Sequence, residues 1–293
     1  DLRMSRGLGD VYKRQVLSNL DVENQKAGAR VEVDTEKRNP HDFAVWIKAP
    51  ENHLMKWDSP WGPSYPGWHI ECSVMSQKYL GEVFDIHTGG IDLIPTHHEN
   101  EIAQSKGMCG KIPANYWMHG EFLLINGGKM SKSLGNVYLL QDIVDRGYDP
   151  LVYKLFCYSI QYRKKLNFTW EGMDSAKIAL DRLREAYQKH LNGTEDVKEE
   201  VIAKYEKDFN EAINDDLNMP VAMSVVWEVA KRTEKSKKLA ELLKKFDKVL
   251  GIKIDEFKEE EIPDDIKELL TKRAEARNCL LYTSPSPRDM RRS

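Results

Sequence analysis

Three side chains in the first half of the chain carry donor chemistry that suits a borderline-soft metal ion. His97 and Glu101 stand four residues apart, so on a helix both project from one face. A thiolate from Cys72 would complete a mixed sulfur, nitrogen and oxygen set of the kind zinc accepts. Spacing alone leaves two readings open, a metal site or a polar helix start rich in histidine. A zinc-protease reading is excluded, because His98-Glu99 would need a second histidine at position 102, which is isoleucine. Further along, Lys129-Met130-Ser131-Lys132-Ser133-Leu134-Gly135-Asn136 follows Gly127-Gly128. Two lysines in such a run make a mobile cationic loop. It can fold over a triphosphate and stabilise charge that develops as pyrophosphate leaves. The bland alternative is a solvated lysine turn.

The elements that must position these groups alternate. Val31-Glu32-Val33 and Val83 to His87 read as strands. The stretch Trp68 to Leu80 reads as a helix stopped by Gly81, and another helix starts near His97 and stops at Gly107. This is βαβ-like material, too short for a complete doubly wound domain. Beyond Leu139 the pattern turns helical. Leu139 to Arg146 ends at Gly147, and Asp149-Pro150 forms an N-cap and first-turn pair. Ala176, Ala179, Leu180, Leu183 and Tyr187 repeat at helical spacing, as do Ala222, Val225, Val226 and Val229. Asn192-Gly193-Thr194 reads as a loop, Glu256 to Pro263 as an acidic linker, and Lys267 to Arg277 as a last helix.

Composition bounds the class. The chain has 293 residues, 31% charged and 41% hydrophobic, and no apolar run reaches the ~18 residues of a membrane span. Four cysteines at irregular spacing form no disulfide framework, which points to a reducing, cytoplasmic setting. Cys109 and Cys157 match no ligand spacing and are expected as buried thiols. Residues 1–15 and 279–293 can be encoded by inverted copies of one DNA sequence, which resembles a transposon-type sequencing adapter. They are expected to be artefact. They hold seven Lys/Arg and three Asp/Glu, so without them the net charge moves from −3 to −7. Cys279 and the basic ends are therefore not read as a metal ligand or a nucleic-acid footprint. An acidic total does not exclude an RNA partner, since binding depends on where charge sits.

The lysine run resembles the KMSKS signature of class I aminoacyl-tRNA synthetases, with its trailing Leu134-Gly135-Asn136. Pro66-Gly67-Trp68-His69-Ile70-Glu71-Cys72-Ser73 and His97-His98-Glu99-Asn100-Glu101-Ile102-Ala103-Gln104-Ser105 resemble paired signatures of the cysteinyl-tRNA synthetase family. Arg38-Asn39-Pro40-His41-Asp42-Phe43-Ala44 and Asp215-Asp216-Leu217-Asn218 resemble further segments of it, in family order across residues 16–278.

The resemblance implies an α/β fold, the C-terminal part of a Rossmann-like catalytic domain followed by an α-helical bundle. It divides the chain into a partial catalytic domain (16–138), a stem-contact-like helical region (139–171) and a tRNA-binding bundle (172–278). It implies one Zn²⁺ held by Cys72, His97 and Glu101, with a fourth ligand cysteine upstream of Val16 together with a histidine motif that grips ATP. The chain is thus expected to be a fragment, inactive alone. Lys129 and Lys132 are implied as catalytic, ATP-binding lysines, Trp68 as lining the cysteine pocket, and Asp92 as receiving the substrate amino group. L-cysteine, ATP with Mg²⁺ and tRNA(Cys) are the implied partners of a monomeric enzyme.

Two positions depart from the family. Thr96 stands where proline usually precedes the first histidine, and Thr88 replaces one glycine of the turn His87-Thr88-Gly89-Gly90. Both put local loop geometry in question. Two rival functions remain, a paralogue attaching cysteine to an amino sugar and a non-catalytic zinc or RNA-binding module. The helical half argues against the first and the lysine run against the second.

Overall fold

Short apolar runs separated by glycines become, between residues 64 and 120, a helix and then a β–α–β crossover. The computed structural model describes residues 16–18, 42–256 and 264–280. Strand β1 (Trp46–Lys48) pairs antiparallel with β2 (Ser64–Pro66), and helix α1 (Trp68–Leu80) follows directly and stops at Gly81 as expected. Strand β3 (Phe84–Gly90) then pairs parallel with β4 (Ala114–Gly120) through helix α2 (Glu99–Cys109), which packs on α1. A parallel pair cannot be closed by a tight turn, so a long crossover is required, and here its helix carries Glu101. The expected strand at 31–33, the segment Arg38 to His41 and the linker beyond Glu256 lie outside the described residues.

The helix expected to stop at Gly107 runs on to Cys109. An interior glycine costs only about 1 kcal/mol. Gly110, at φ 74°, supplies the left-handed cap and donates its N–H to the Lys106 carbonyl. Cys109 and Cys157, expected as buried thiols, are only half-buried. Cys109 donates to the Ser105 carbonyl one helical turn back.

A second, three-stranded sheet in the order β6-β5-β7 is made of β5 (Leu123–Ile125), β6 (Gly128–Lys129) and β7 (Leu166–Phe168). Strands β5 and β6 form a hairpin over Asn126-Gly127, at φ 49° and 78°. This dipeptide favours the tight turn whose twist matches paired strands. Helices α3 (Leu140–Asp145) and α4 (Pro150–Cys157) intervene, and Asp149 caps α4 by accepting from the Leu151 N–H. The helical remainder comprises α5 (Trp170–Leu191), α6 (Glu199–Asn214), α7 (Met219–Ala230), α8 (Lys237–Leu250) and α9 (Asp264–Leu280). No helix among the described residues is long and apolar enough to cross a membrane.

The chain divides into two compact units, Asp1–Ala179 with Lys204–Val226, and Leu180–Ala203 with Trp227–Ser293. In the second unit Leu180, Leu183, Leu239, Leu243, Phe246, Leu250, Ile252 and Ile254 are buried. His190 is buried there too, with Nε2 facing the Val229 and Ala230 carbonyls at 3.1 and 3.2 Å. Burial, before the nearby Lys235 charge, lowers its pKa. Neutral, it donates to those carbonyls and satisfies backbone groups at the end of α7.

In the first unit, Asp215 to Asn218 forms the turn between α6 and α7. Asp216 and Leu217 both adopt positive φ, 51° and 53°. Such backbone persists only when neighbours hold it. Asp216 is held by a fan of donors from three consecutive residues: Gln161 at 3.0 Å, the Tyr162 hydroxyl at 2.6 Å and Arg163 Nε at 2.5 Å. The Arg163 hydrogen bond, then that of Tyr162, pulls its pKa down to about 2. A depressed carboxyl pKa gives stability that is present above the ordinary value near 3.8 and is lost as pH falls through about 2. Asp216→Asn is therefore expected to lower the urea midpoint at pH 7 and to flatten acid unfolding between about pH 4 and 2. An unchanged acid limb in the variant would show that the fan contributes nothing.

Candidate metal centre and lysine loop

Helix α1, the turn that leads into α2 and α2 itself bring Cys72, His97 and Glu101 together, with one ligand atom from each within 4.8 Å of the others. His97 and Glu101 are 4% and 2% exposed, and Cys72 is half-buried. His97 Nε2 lies 2.9 Å from Glu101 Oε1. That approach lacks hydrogen-bond alignment, and Oε1 is left buried without a hydrogen bond. A carboxylate oxygen in that state costs a few kcal/mol or more, and a cation shared with Sγ and Nε2 removes the cost. The donor set therefore fits a metal such as zinc. Burial, with Glu101 and Glu71, raises the Cys72 pKa above its ordinary 9.0, and burial lowers that of His97 against the pull of Glu101. The imidazole is thus neutral and ready to ligate at neutral pH, while the thiol must lose its proton on binding.

Both histidines of the pair at 97–98 sit in a π-helical turn, Ile94–His98, that leads into α2. Such turns are short and cluster at functional sites. The exposed Thr96 lies within it, so the absence of a second proline leaves the turn intact. Thr88 is likewise an exposed strand residue. The glycine that cannot vary is the next one. A Cβ on Gly89 would lie 2.6 Å from His98 Cε1 and 2.8 Å from Leu93 Cδ1. His98 cannot retreat, since it is 1% exposed and its Nδ1 is 2.8 Å from His119 Nε2. Gly89→Ala is expected to destabilise the chain by about 1–3 kcal/mol, as overpacked cores do. An unshifted urea midpoint would contradict this.

Composition and spacing did not reveal the rest of the pocket. His69, His87 and His98, from α1, β3 and the π turn, lie against the triad, and His119 of β4 lies behind His98. Burial, then the three neighbouring imidazoles, drops the His98 pKa to about 3. Glu99, fully buried, accepts from the backbone N–H groups of Val16, Leu17 and Ser18 and from the Ser18 hydroxyl. Sequence separations of up to 83 residues gave no periodic signal for these contacts.

Trp68 is 58% exposed and stacks on His97, ring centroids 4.1 Å apart. Asp92 is exposed, in the 3₁₀ turn Ile91–Leu93 that follows β3, with its Oδ1 lying over Gly90. Lys129 and Lys132 are exposed, in the other sheet's hairpin and the turn after it. Asn136 clasps this loop. Its Oδ1 accepts from the Ser131 N–H at 2.8 Å and its Nδ2 donates to the Lys129 carbonyl at 3.0 Å. Neither lysine side chain takes part in the clasp, so both are presented by backbone geometry they do not themselves maintain.

The fold and this pocket define a class I tRNA synthetase catalytic domain. Over 68% of its length the chain superposes on 32% of a LeuRS–tRNA–LeuAMS ternary complex from Agrobacterium radiobacter K84, at TM-score 0.52 and 16% identity. More particularly, residues 8–178 match the family model for the class I (C) tRNA synthetase catalytic domain, and the chain belongs to that family. Residues 208–255 match the DALR domain. Among curated relatives, a cysteine–tRNA ligase of Treponema denticola is 44% identical over 264 residues, 82% of this chain and 54% of the relative. One from Carboxydothermus hydrogenoformans is 48% identical over 221 residues, 73% of this chain and 47% of the relative. One from Bacillus licheniformis is 40% identical over 311 aligned positions, 97% of this chain and 66% of the relative. The chain spans about half the length of the first of these relatives.

Proposed function

We propose that this chain supplies the metal-bearing and lysine-loop part of a cysteine–tRNA ligase. The observation that carries the proposal is the Cys72, His97 and Glu101 cluster beneath an exposed Trp68. Bound there, zinc supplies a soft site that takes a thiol as thiolate and leaves a serine hydroxyl unrecognised. Discrimination by a bond the competitor cannot make needs no editing step. Trp68 forms a wall of the amino-acid pocket, and Asp92 pairs with the substrate ammonium.

In the first half-reaction a carboxylate oxygen of cysteine bonds to the α-phosphorus of ATP while the bond to pyrophosphate breaks. Lys129 and Lys132 meet the charge that gathers on the departing pyrophosphate, with Mg²⁺ accompanying the nucleotide. In the second, a terminal ribose hydroxyl of tRNA(Cys) attacks the adenylate carbonyl and AMP leaves. The DALR-matching helices contact the tRNA, beyond the reach that a small acceptor would need. The test is amino-acid-dependent ATP–pyrophosphate exchange by the full-length gene product. Exchange driven by cysteine and not by serine is expected. Exchange that ignores cysteine would overturn the proposal.

A further inference from the structure

In the metal triad His97 and Glu101 each use one atom, and the opposite atom of each is also engaged. His97 Nδ1 lies 2.8 Å from His69 Nδ1. Glu101 Oε2 lies 3.3 Å from His87 Nε2. Resting on the metal reading above, we propose that His69 and His87 are positioning residues for the metal centre: His69 fixes the tautomer and ring plane of His97, and His87 holds the second oxygen of Glu101.

The argument for His69 is one of proton counting. Two Nδ1 atoms at 2.8 Å can hydrogen-bond only if one carries a proton and the other does not. His97 turns Nε2 toward Glu101 Oε1, so Nε2 is the ligating atom and the ring's proton must sit on Nδ1. His97 is then the donor and His69 the acceptor. His69 can serve because its ring is fixed, edge-on to Phe43 at 5.6 Å and 84°, and beside Trp68 at 5.5 Å. It also stands three residues before Cys72 on α1, so one helix face delivers both a ligand and the group that orients another ligand.

For Glu101 the same logic runs through the carboxylate. His87 Nε2 faces Oε2 at 3.3 Å, an ion-pair contact without hydrogen-bond alignment, while Oε1 is the oxygen turned toward His97 Nε2. His87 is wedged between Trp117, at 4.8 Å and 69°, and His98, at 4.7 Å and 65°. The alternative, a second ion held by His87, His98 and Glu101, uses atoms that also lie within 4.8 Å of one another. Charge disfavours it. Those three bring no anion beyond the carboxylate already committed to the first ion, so two dications would share only that carboxylate and the Cys72 thiolate, and the second ion would have no anionic ligand of its own.

The experiment uses the full chain, with zinc titrated against a chromophoric chelator and cobalt(II) absorbance reporting the thiolate ligand. His69→Asn keeps an acceptor near the Nδ1 position and His87→Gln keeps a donor near Nε2; His69→Phe and His87→Phe keep bulk only. Alanine truncations, which cannot clash, provide a second pair. The Phe and Ala variants are expected to bind one equivalent of zinc about 10–100-fold more weakly, as lost outer-shell partners do. The thiolate band should persist in them, and the Asn and Gln variants should bind close to wild type. Wild-type affinity in all truncations would overturn the inference. So would a second zinc equivalent lost with His87→Phe, since His87 would then be a ligand. Failure of the underlying metal reading looks different: the wild type binds no zinc, or binds it with no dependence on Cys72.

Discussion

Lys132→Ala is expected to slow cysteine activation in the full-length ligase by about a hundredfold or more, with little change in cysteine affinity. The ammonium has nothing to meet in the ground state that a free substrate carboxylate would feel. Under the proposed function its partner charge grows on pyrophosphate as the α-phosphorus bond breaks, so the lost interaction would belong to the transition state. The substitution should leave the loop in place, because the clasp runs from Asn136 to the Ser131 N–H and the Lys129 carbonyl. Lys132 is exposed at the start of the 3₁₀ turn Lys132–Leu134, and no packing depends on it. Single-turnover formation of pyrophosphate separates activation from tRNA charging. A wild-type rate there would remove Lys132 from the machinery, and a raised cysteine Kd at unchanged rate would make it a binding residue only.

The loop also shows where sequence reading stops. The lysine run was legible because its chemistry is local, a string of named side chains within eight residues. The hairpin that mounts it is less legible: Asn126-Gly127 after the apolar run Phe122 to Ile125 is a turn signal, but the returning strand is only Gly128–Lys129 and carries no apolar pattern. The metal triad was half legible. His97 and Glu101 announce themselves by a four-residue step, and that step survives although the turn under His97 is π-helical rather than α-helical. Cys72 was read only as a donor of suitable softness, because nothing in a linear pattern says that α1 packs on α2.

The placement of the outer histidines was not legible from composition or spacing. His69, His87, His98 and His119 each sit in a different local context, and each looks like an ordinary polar residue of its element. What unites them is the parallel β3–β4 pair, which sets His87 opposite Trp117 and Gly89 opposite His119. Pairing between strands some thirty residues apart is a tertiary fact. The need for glycine at position 89 belongs with it, since its cause is the His98 ring rather than a turn.

Cys72→Ser should weaken zinc binding by on the order of a hundredfold or more and, more tellingly, change how binding depends on pH. In the wild type the thiol pKa is raised by burial, then by Glu101 and Glu71, so the group is protonated throughout the neutral range. On the proposed metal reading zinc would have to displace that proton, and affinity should therefore fall about tenfold for each pH unit lost below the thiol pKa. His97 adds nothing to this slope near neutrality, because burial lowers its pKa below 6.5 and it already ligates as the neutral ring. Its proton competes only in more acid solution, which places the onset of its effect below the ordinary histidine range. Serine offers a far less acidic oxygen, so between about pH 6.5 and 8 the variant should bind weakly and almost independently of pH. Glu101→Gln separates charge from shape: the amide is a poorer ligand of nearly the same size, so affinity should drop while the thiol-governed slope remains. Chelator competition at three pH values on the three proteins gives both quantities. Equal affinities, or the same slope with and without Cys72, would mean that the sulfur is not a ligand and that the shared position of these three side chains has another cause.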